Sequence, residues 1–362
     1  MNPSSTTLRF NRFALGRFET IHFFDADSGD FIAQQGARFS YSLGGLSGEF
    51  RCPLPTRLRA FELTRPTRRL ARLDKGTCMH LPELERLVVF YQGRLYIHDM
   101  RTRALRHVRD FAFRNPLFMG TETLEGRAIY FGEYFANTSD RAVGVFGSED
   151  GGDTWDEVYR FAAGSIWHVH GVHHDPWTGN LWICTGDRDG ECRIVMVDRD
   201  FNEIESHGDG SQDWRAVTMM FLEDRVVWGM DSPLAPCHVM SLDRASGNLT
   251  RGQPMPGPVW FSRPLEGGYG VLQTATEHPG QPGVQSDCAH LFATRDFDHW
   301  SEIARWPKDR WPNRTFLHGL LSFSDGPQRL DRFALNGQAV TGMDGISGLA
   351  GIDADALPRA QI

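Results

Sequence analysis

The sequence predicts an all-β fold, a single β-propeller of seven four-stranded blades. Three observations predict it: short β-rich runs with turn residues along the whole chain, no long segment with a sustained 3.6-residue apolar period, and a hairpin unit that recurs at blade-sized intervals. At 362 residues the chain has the length of two average domains, yet propellers reach it as one closed ring, and no linker interrupts it. Residues 1–362 are therefore read as one domain.

The recurring unit is an apolar strand, an Asp-containing turn and a second strand. It occurs at Ile21–Phe24 with Asp25–Gly29, Leu95–His98 with Asp99–Thr102, Val143–Phe146 with Ser148–Gly152, and Ile194–Val197 with Asp198–Asp200. Two further copies are His238–Leu242 with Asp243–Gly247 and Leu291–Thr294 with Arg295–Asp298, and a degenerate one is Leu58–Leu63. The starts are spaced by 37, 37, 48, 51, 44 and 53 residues, the range of four-stranded propeller blades. The expected blades lie near 37–76, 77–112, 113–163, 164–211, 212–256 and 257–312. A seventh takes its two inner strands from Thr315–Phe323 and Leu330–Leu335 and its two outer strands from residues 8–36, so that both chain ends close the ring and remove open sheet edges. Six or eight blades are the alternatives, because the first 80 residues are weakly patterned.

Composition narrows the function classes. Forty per cent hydrophobic residues, 38 Gly and 19 Pro suit a globular core with many turns. A net charge of −8 argues against a nucleic-acid partner, which requires a concentration of cations on one face. No run approaches the roughly 18 apolar residues of a membrane span. Met1–Phe13 lacks the apolar stretch of a secretory signal, and the six Cys, at 52, 78, 184, 192, 237 and 288, contain no CxxC pair. Reduced thiols in a cytoplasmic protein without cofactor or dedicated metal site are the expectation, a mature exported form being the alternative. The basic residues are strongly skewed to Arg, whose planar fork suits carboxylate recognition; a GC-rich genome produces the same skew.

Ser148-Glu149-Asp150-Gly151-Gly152-Asp153-Thr154-Trp155 resembles the Asp-box turn (S-x-D-x-G-x-T-W) of sialidases and related propellers, and Phe113-Arg114-Asn115-Pro116 resembles their F-R-I-P motif. The resemblance covers one blade, Phe113 to Trp155. It implies a sialidase-like (BNR) propeller acting as a glycoside hydrolase. Arg114 would be one of three arginines clamping a substrate carboxylate, and Asp140 the general acid. Asn115 departs from the motif, only one good Asp-box is present, and the C-terminal third offers no convincing nucleophilic Tyr, the last being Tyr269.

Independently of that resemblance, the blade repeat brings two positions to one face, because strand A starts where strand B ends. Strand A starts carry Arg114, His168 and His170, Arg215, Trp260 and Arg263, and Arg314 with His318; strand B ends carry Glu133 and Tyr134, Asp187, Asp231 and Glu277. Arg114, Arg215 and Arg314 are expected to bind a carboxylate, with Glu133, Glu277, Trp260 and His318 as further substrate contacts. Asp187 and Asp231 are candidate paired carboxylates. His168 and His170 are candidate bases, or metal ligands with Asp187 or Glu191, and Tyr134 stabilises charge or moves a proton.

Three functions fit: a sialidase-like hydrolase on an anionic glycan, a lyase on a uronic-acid polymer, and a non-catalytic propeller that binds glycan or protein. All three take a carbohydrate or protein partner, the enzyme readings a carboxylate-bearing one.

Overall fold

The computed structural model describes residues 8–13 and 17–358, so residues 1–7, part of the stretch read above for a secretory signal, lie outside the described residues. Its strands form seven four-stranded antiparallel sheets. Blades 1 to 6 span residues 20–51, 76–110, 121–161, 168–210, 219–255 and 259–307, and blade 7 combines 320–351 with Arg9–Arg12. This is a seven-bladed β-propeller.

Within a blade, burial falls from the inside outwards. In blade 4 the second strand, Leu181–Gly186, is buried throughout, whereas the outermost, Glu203–Gly210, is exposed at most positions. The inner strands are covered on both faces by neighbouring blades and read as continuous apolar runs, while the outer strand faces water on one side and carries the charge.

Ring closure differs from the expected two-plus-two division. The C-terminal segment supplies three strands, Leu320–Ser322, Phe333–Gln338 and Ile346–Gly351, and the N-terminus only the outer one, with Arg9 opposite Gly351 and Arg12 opposite Gly348. The first blade is correspondingly 20–51 rather than 37–76. Ile21–Phe24 belongs to an inner A–B hairpin, and Leu58–Leu63 falls largely in the 3-10 helix Thr56–Glu62. The segment between blades 1 and 2 is instead a helical insert, with the helix Arg65–Leu70 opened by a Thr64/Thr67 capping box. That insert is tied across the ring: Arg69, 1% exposed, meets Asp309 at 2.5 Å and Asp344 at 3.0 Å, and Arg65 meets Asp344 at 2.9 Å.

The turn Ser148–Trp155 joins the outer two strands of blade 3. Asp150 accepts from Ser148 Oγ (2.9 Å), Thr154 N (2.9 Å) and Thr154 Oγ1 (2.6 Å), and the Trp155 indole donates to Gly152 O (2.8 Å). Thr294–Trp300 in blade 6 repeats the scheme one residue shorter: Thr294 Oγ1 bonds Asp296 (3.1 Å), His299 N donates to Asp296 (2.8 Å), and the Trp300 indole donates to Phe297 O (3.3 Å). A strict motif match passes over this second turn because the shared feature is its hydrogen bonding.

Inner strands approach closely where a glycine ends strand B. A Cβ on Gly132 would sit 2.1 Å from Val169 Cγ1, and one on Gly229 2.3 Å from Val259 Cγ1. The following backbone then bonds the next blade, as in Val169 N to Glu133 O (3.0 Å) and Val259 N to Met230 O (2.8 Å). This close approach carries residues just after strand B to the central mouth.

Candidate active site

A cavity of about 490 Å³ opens at the face formed by strand A starts and strand B ends. Six residues expected at the site line it: Arg114, Tyr134, His168, Asp187, Trp260 and His318. The others divide between a layer directly behind the lining and positions elsewhere.

Behind the lining, His170, Arg215 and Asp231 extend a network from Asp187. Both imidazoles are oriented by main chain: His168 Nδ1 lies 3.0 Å from Phe135 O and His170 Nδ1 2.8 Å from Ala216 O. Their Nε2 atoms face each other at 3.1 Å, and Asp187 Oδ1 lies 3.0 Å from His170 Nε2 and 3.4 Å from His168 Nε2. Arg215 donates to the same oxygen (2.9 Å) and to the Asp187 carbonyl (3.0 Å), and its Nε reaches Asp231 at 3.3 Å.

One guanidinium thus serves two carboxylates in unlike settings. Burial disfavours charge on Asp187, but His168 and Arg215 outweigh it and hold its pKa well below the usual carboxylate range. Burial dominates at Asp231 and raises its pKa, helped by Glu277 and Asp187 and opposed by Arg215. Asp231 does not line the cavity and reaches Asp187 only by way of Arg215. His170 is lowered by burial against the pull of Asp187. Tyr134, whose ring centre lies 4.3 Å from that of His168, is raised by burial and by the surrounding carboxylates, which keeps its phenol protonated.

A second group stands across the mouth. Trp260 Nε1 donates to Glu277 (2.8 Å), His278 Nε2 lies 3.3 Å from the same carboxylate, and the His318 ring packs at 5.8 Å against Trp260. Glu277 is therefore committed to positioning Trp260.

Three expected contacts are placed elsewhere. Glu133 accepts from Arg141 (3.0 Å) and from Gly144 N (2.9 Å), a local tie that consumes both its oxygens. Asp140 is an exposed residue paired with Arg188 at 2.9 Å and is absent from the cavity lining. Arg314 sits exposed on the short helix Asn313–Phe316, also outside the lining. With Arg215 saturated by two acids, the expected clamp of Arg114, Arg215 and Arg314 is not assembled.

Other cations take its place. Arg65, Arg72 and Lys75 from the helical insert join Arg114 on one wall. Arg65 is neutralised by Asp74 (2.8 Å), Asp344 (2.9 Å) and Glu19 (3.3 Å). Among the described residues, no carboxylate lies within ion-pair distance of Arg72, Lys75 or Arg114; Lys75 Nζ bonds the neutral Gln338 amide. Burial lowers the Lys75 pKa to about 8, with the neighbouring arginines adding to the effect and Asp74 opposing it. Burial likewise lowers Arg72, opposed by Asp74 and reinforced by repulsion from Arg114 and Arg69. The legible signal was the basic run Arg65–Lys75 after the Thr64 cap, which falls within the expected blade 37–76 and forms a helical insert instead.

Fold and site together define a β-propeller with a central pocket whose apolar lining carries a few charged and imidazole side chains. No family model matches the sequence, and no curated protein does. Among solved structures, YCF48 bound to a D1 peptide aligns with TM-score 0.56 at 10% identity, covering 98% of this chain and 99% of that one. The WD40 repeats of RRP9 align at 0.54 and 12% identity, with 98% and 99% coverage. A chain of the mitotic checkpoint complex aligns at 0.56 and 7%, with 98% and 96% coverage. At such identities the likeness establishes the propeller and leaves activity to the site. No helix among the described residues is long and apolar enough to cross a membrane.

Proposed function

We propose that the mouth binds a carboxylate-bearing sugar residue and acts on it by elimination, as a lyase on a uronic-acid polymer. The observation that carries this reading is a cavity with Arg72, Lys75 and Arg114, all without carboxylate partners among the described residues, on one wall and with His168, Asp187 and Tyr134 also in its lining. Its volume of about 490 Å³ lies in the range of small-molecule sites.

Removing the proton α to a carboxylate builds negative charge, and cations already countering the carboxylate lower that barrier. The proton passes to the imidazole–carboxylate cluster as the C–H bond breaks, and the double bond forms as the glycosidic C–O bond breaks. Tyr134, held protonated, donates to the departing oxygen. Sialidase-type hydrolysis has less support, since Asp140 and Arg314 stand outside the cavity and Arg215 is saturated.

The test is ultraviolet absorbance of unsaturated uronide during incubation with polygalacturonate, alginate and hyaluronan. A rise with the wild type on at least one polymer, reduced at least 100-fold by Tyr134→Phe, is expected. No rise on any of them, with the protein folded, overturns elimination.

A second reading is a peptide-binding propeller, favoured by the structural likeness to YCF48 bound to a D1 peptide. A peptide's terminal carboxylate would meet the same basic wall. Retention of free-carboxylate peptides but not their amidated forms, without turnover of any polymer, selects this reading.

A further inference from the structure

We propose that His168, His170 and Asp187 form a binding site for one divalent transition-metal ion, with a coordination position open to the mouth. Three ligand atoms converge: His168 Nε2, His170 Nε2 and Asp187 Oδ1, separated by 3.1, 3.0 and 3.4 Å. An ion bound at about 2.0–2.1 Å keeps neighbouring ligand atoms roughly 2.9–3.4 Å apart, from octahedral to tetrahedral geometry. The observed triangle is one face of such a polyhedron.

The hydrogen bonds on the far side of each ring point the same way. Each Nδ1 is satisfied by a main-chain carbonyl, Phe135 O for His168 and Ala216 O for His170, which places the proton of a neutral ring on Nδ1 and leaves Nε2 as a lone pair. Two lone pairs and a carboxylate oxygen that accepts only from Arg215 among its neighbours then crowd within 3.4 Å, with no proton between them. A cation, or a proton shared among them, has to occupy that centre.

Three further features favour the metal. Both histidines are buried, so the ligands are held in place. Arg215 donates to Asp187 Oδ1 and to the Asp187 carbonyl, fixing the carboxylate while leaving its remaining lone pairs for an ion. The side chains of His168 and Asp187 reach the cavity wall, so the fourth and later positions face the mouth. Two imidazoles and one carboxylate suit zinc, iron(II), manganese, cobalt or nickel better than calcium or magnesium, which take oxygen-only shells.

The site does not depend on the lyase reading, since ion binding is measured without substrate. In that reading the same Nε2 atoms accept the substrate proton, so a bound ion and that proton compete for one centre. The test takes the full chain, stripped with chelator and dialysed, and titrates it with Co²⁺ and with Zn²⁺. One equivalent per chain, visible cobalt d–d absorption and an affinity at least 100-fold weaker in both His168→Ala and His170→Ala are expected. His278→Ala, in the neighbouring Glu277–His278–His318 group, should bind as wild type. The proposal is overturned by wild-type protein with native circular dichroism that shows no cobalt spectrum, which assigns the centre to a shared proton. It is equally overturned if His278→Ala abolishes binding while His168→Ala, folded by the same measure, retains it. Asp187→Asn provides a third variant of nearly unchanged shape, expected to weaken Co²⁺ binding at least tenfold.

Discussion

The two walls of the mouth hold charge in opposite ways. On the wall built by blades 4 and 5, Asp187 is bonded to Arg215 and both histidines, and Arg215 is closed by Asp231. On the wall built by the helical insert and the Arg114 loop, Arg72, Lys75 and Arg114 have no carboxylate within ion-pair distance among the described residues, and Asp74 attracts Arg72 and Lys75 from further off. Paired charges hold a geometry in advance, whereas unpaired like charges raise the free energy of the empty site and are relieved when an anion arrives. The first wall is therefore suited to chemistry and the second to recognition.

The largest expected effect breaks the paired wall. Arg215→Met leaves two carboxylates without their guanidinium, and removal of one member of a buried pair costs about 3–5 kcal/mol. The denaturant midpoint at pH 7 measures it; a loss under about 1 kcal/mol would mean that pairing does not organise this wall.

Next come the two acids themselves, which should respond to pH with opposite sign. Asp187 has a depressed folded pKa, so its contribution is present above the unfolded value of about 3.9 and is lost as pH falls through the folded value. Asp231 has a raised folded pKa, so its contribution is complete below about 3.9 and is lost as pH rises through the folded value. Relative to wild type, Asp187→Asn should lose stability and Asp231→Asn gain it as pH rises from acid to neutral, followed by thermal melts across that range. Parallel responses would remove the distinction between the two carboxylates.

On the unpaired wall, Lys75→Met should weaken retention of a carboxylate ligand such as galacturonate about tenfold at pH 7, or about 1.4 kcal/mol. Because the Lys75 pKa lies at about 8, wild-type affinity should fall as pH crosses that value, and the variant's profile should be flat there. Isothermal titration at pH 6.5 to 9 reads both; an unchanged profile in the variant assigns the titration to another group.

The smallest effect is expected at Asp140→Asn. Among the described residues this exposed carboxylate pairs only with Arg188 near the rim, so stability should change by less than about 0.5 kcal/mol and uronide formation by less than about twofold. A 100-fold loss of turnover would return Asp140 to the catalytic machinery.

Legibility in the sequence followed the range of the interaction. Outer hairpins such as Val143–Ser148 with Asp156–Phe161 were readable because alternation, an Asp turn and its hydrogen bonds lie within some twenty residues of one another. Tyr134, His168, Asp187, Trp260 and His318 line the cavity because strand A starts and strand B ends share one face in every blade. Glu133 obeys the same register, yet Arg141, eight residues on, turns its carboxylate aside. The register specifies where a Cα lies and not which partner its side chain finds.

The basic wall was out of reach for a different reason. Lys75, one of two lysines in the chain, and Arg72 belong to an insert without strand period, whose position depends on Arg65 and Arg69 meeting Asp309 and Asp344 on the far side of the ring closure. What the sequence by itself determined was a blade-length repeat over most of the chain and the face on which polar residues gather, since both arise from local period and antiparallel register. Only the tertiary structure decided which of those charges are paired, because partners such as Arg65 and Asp344 lie 279 residues apart and meet only when the ring is closed.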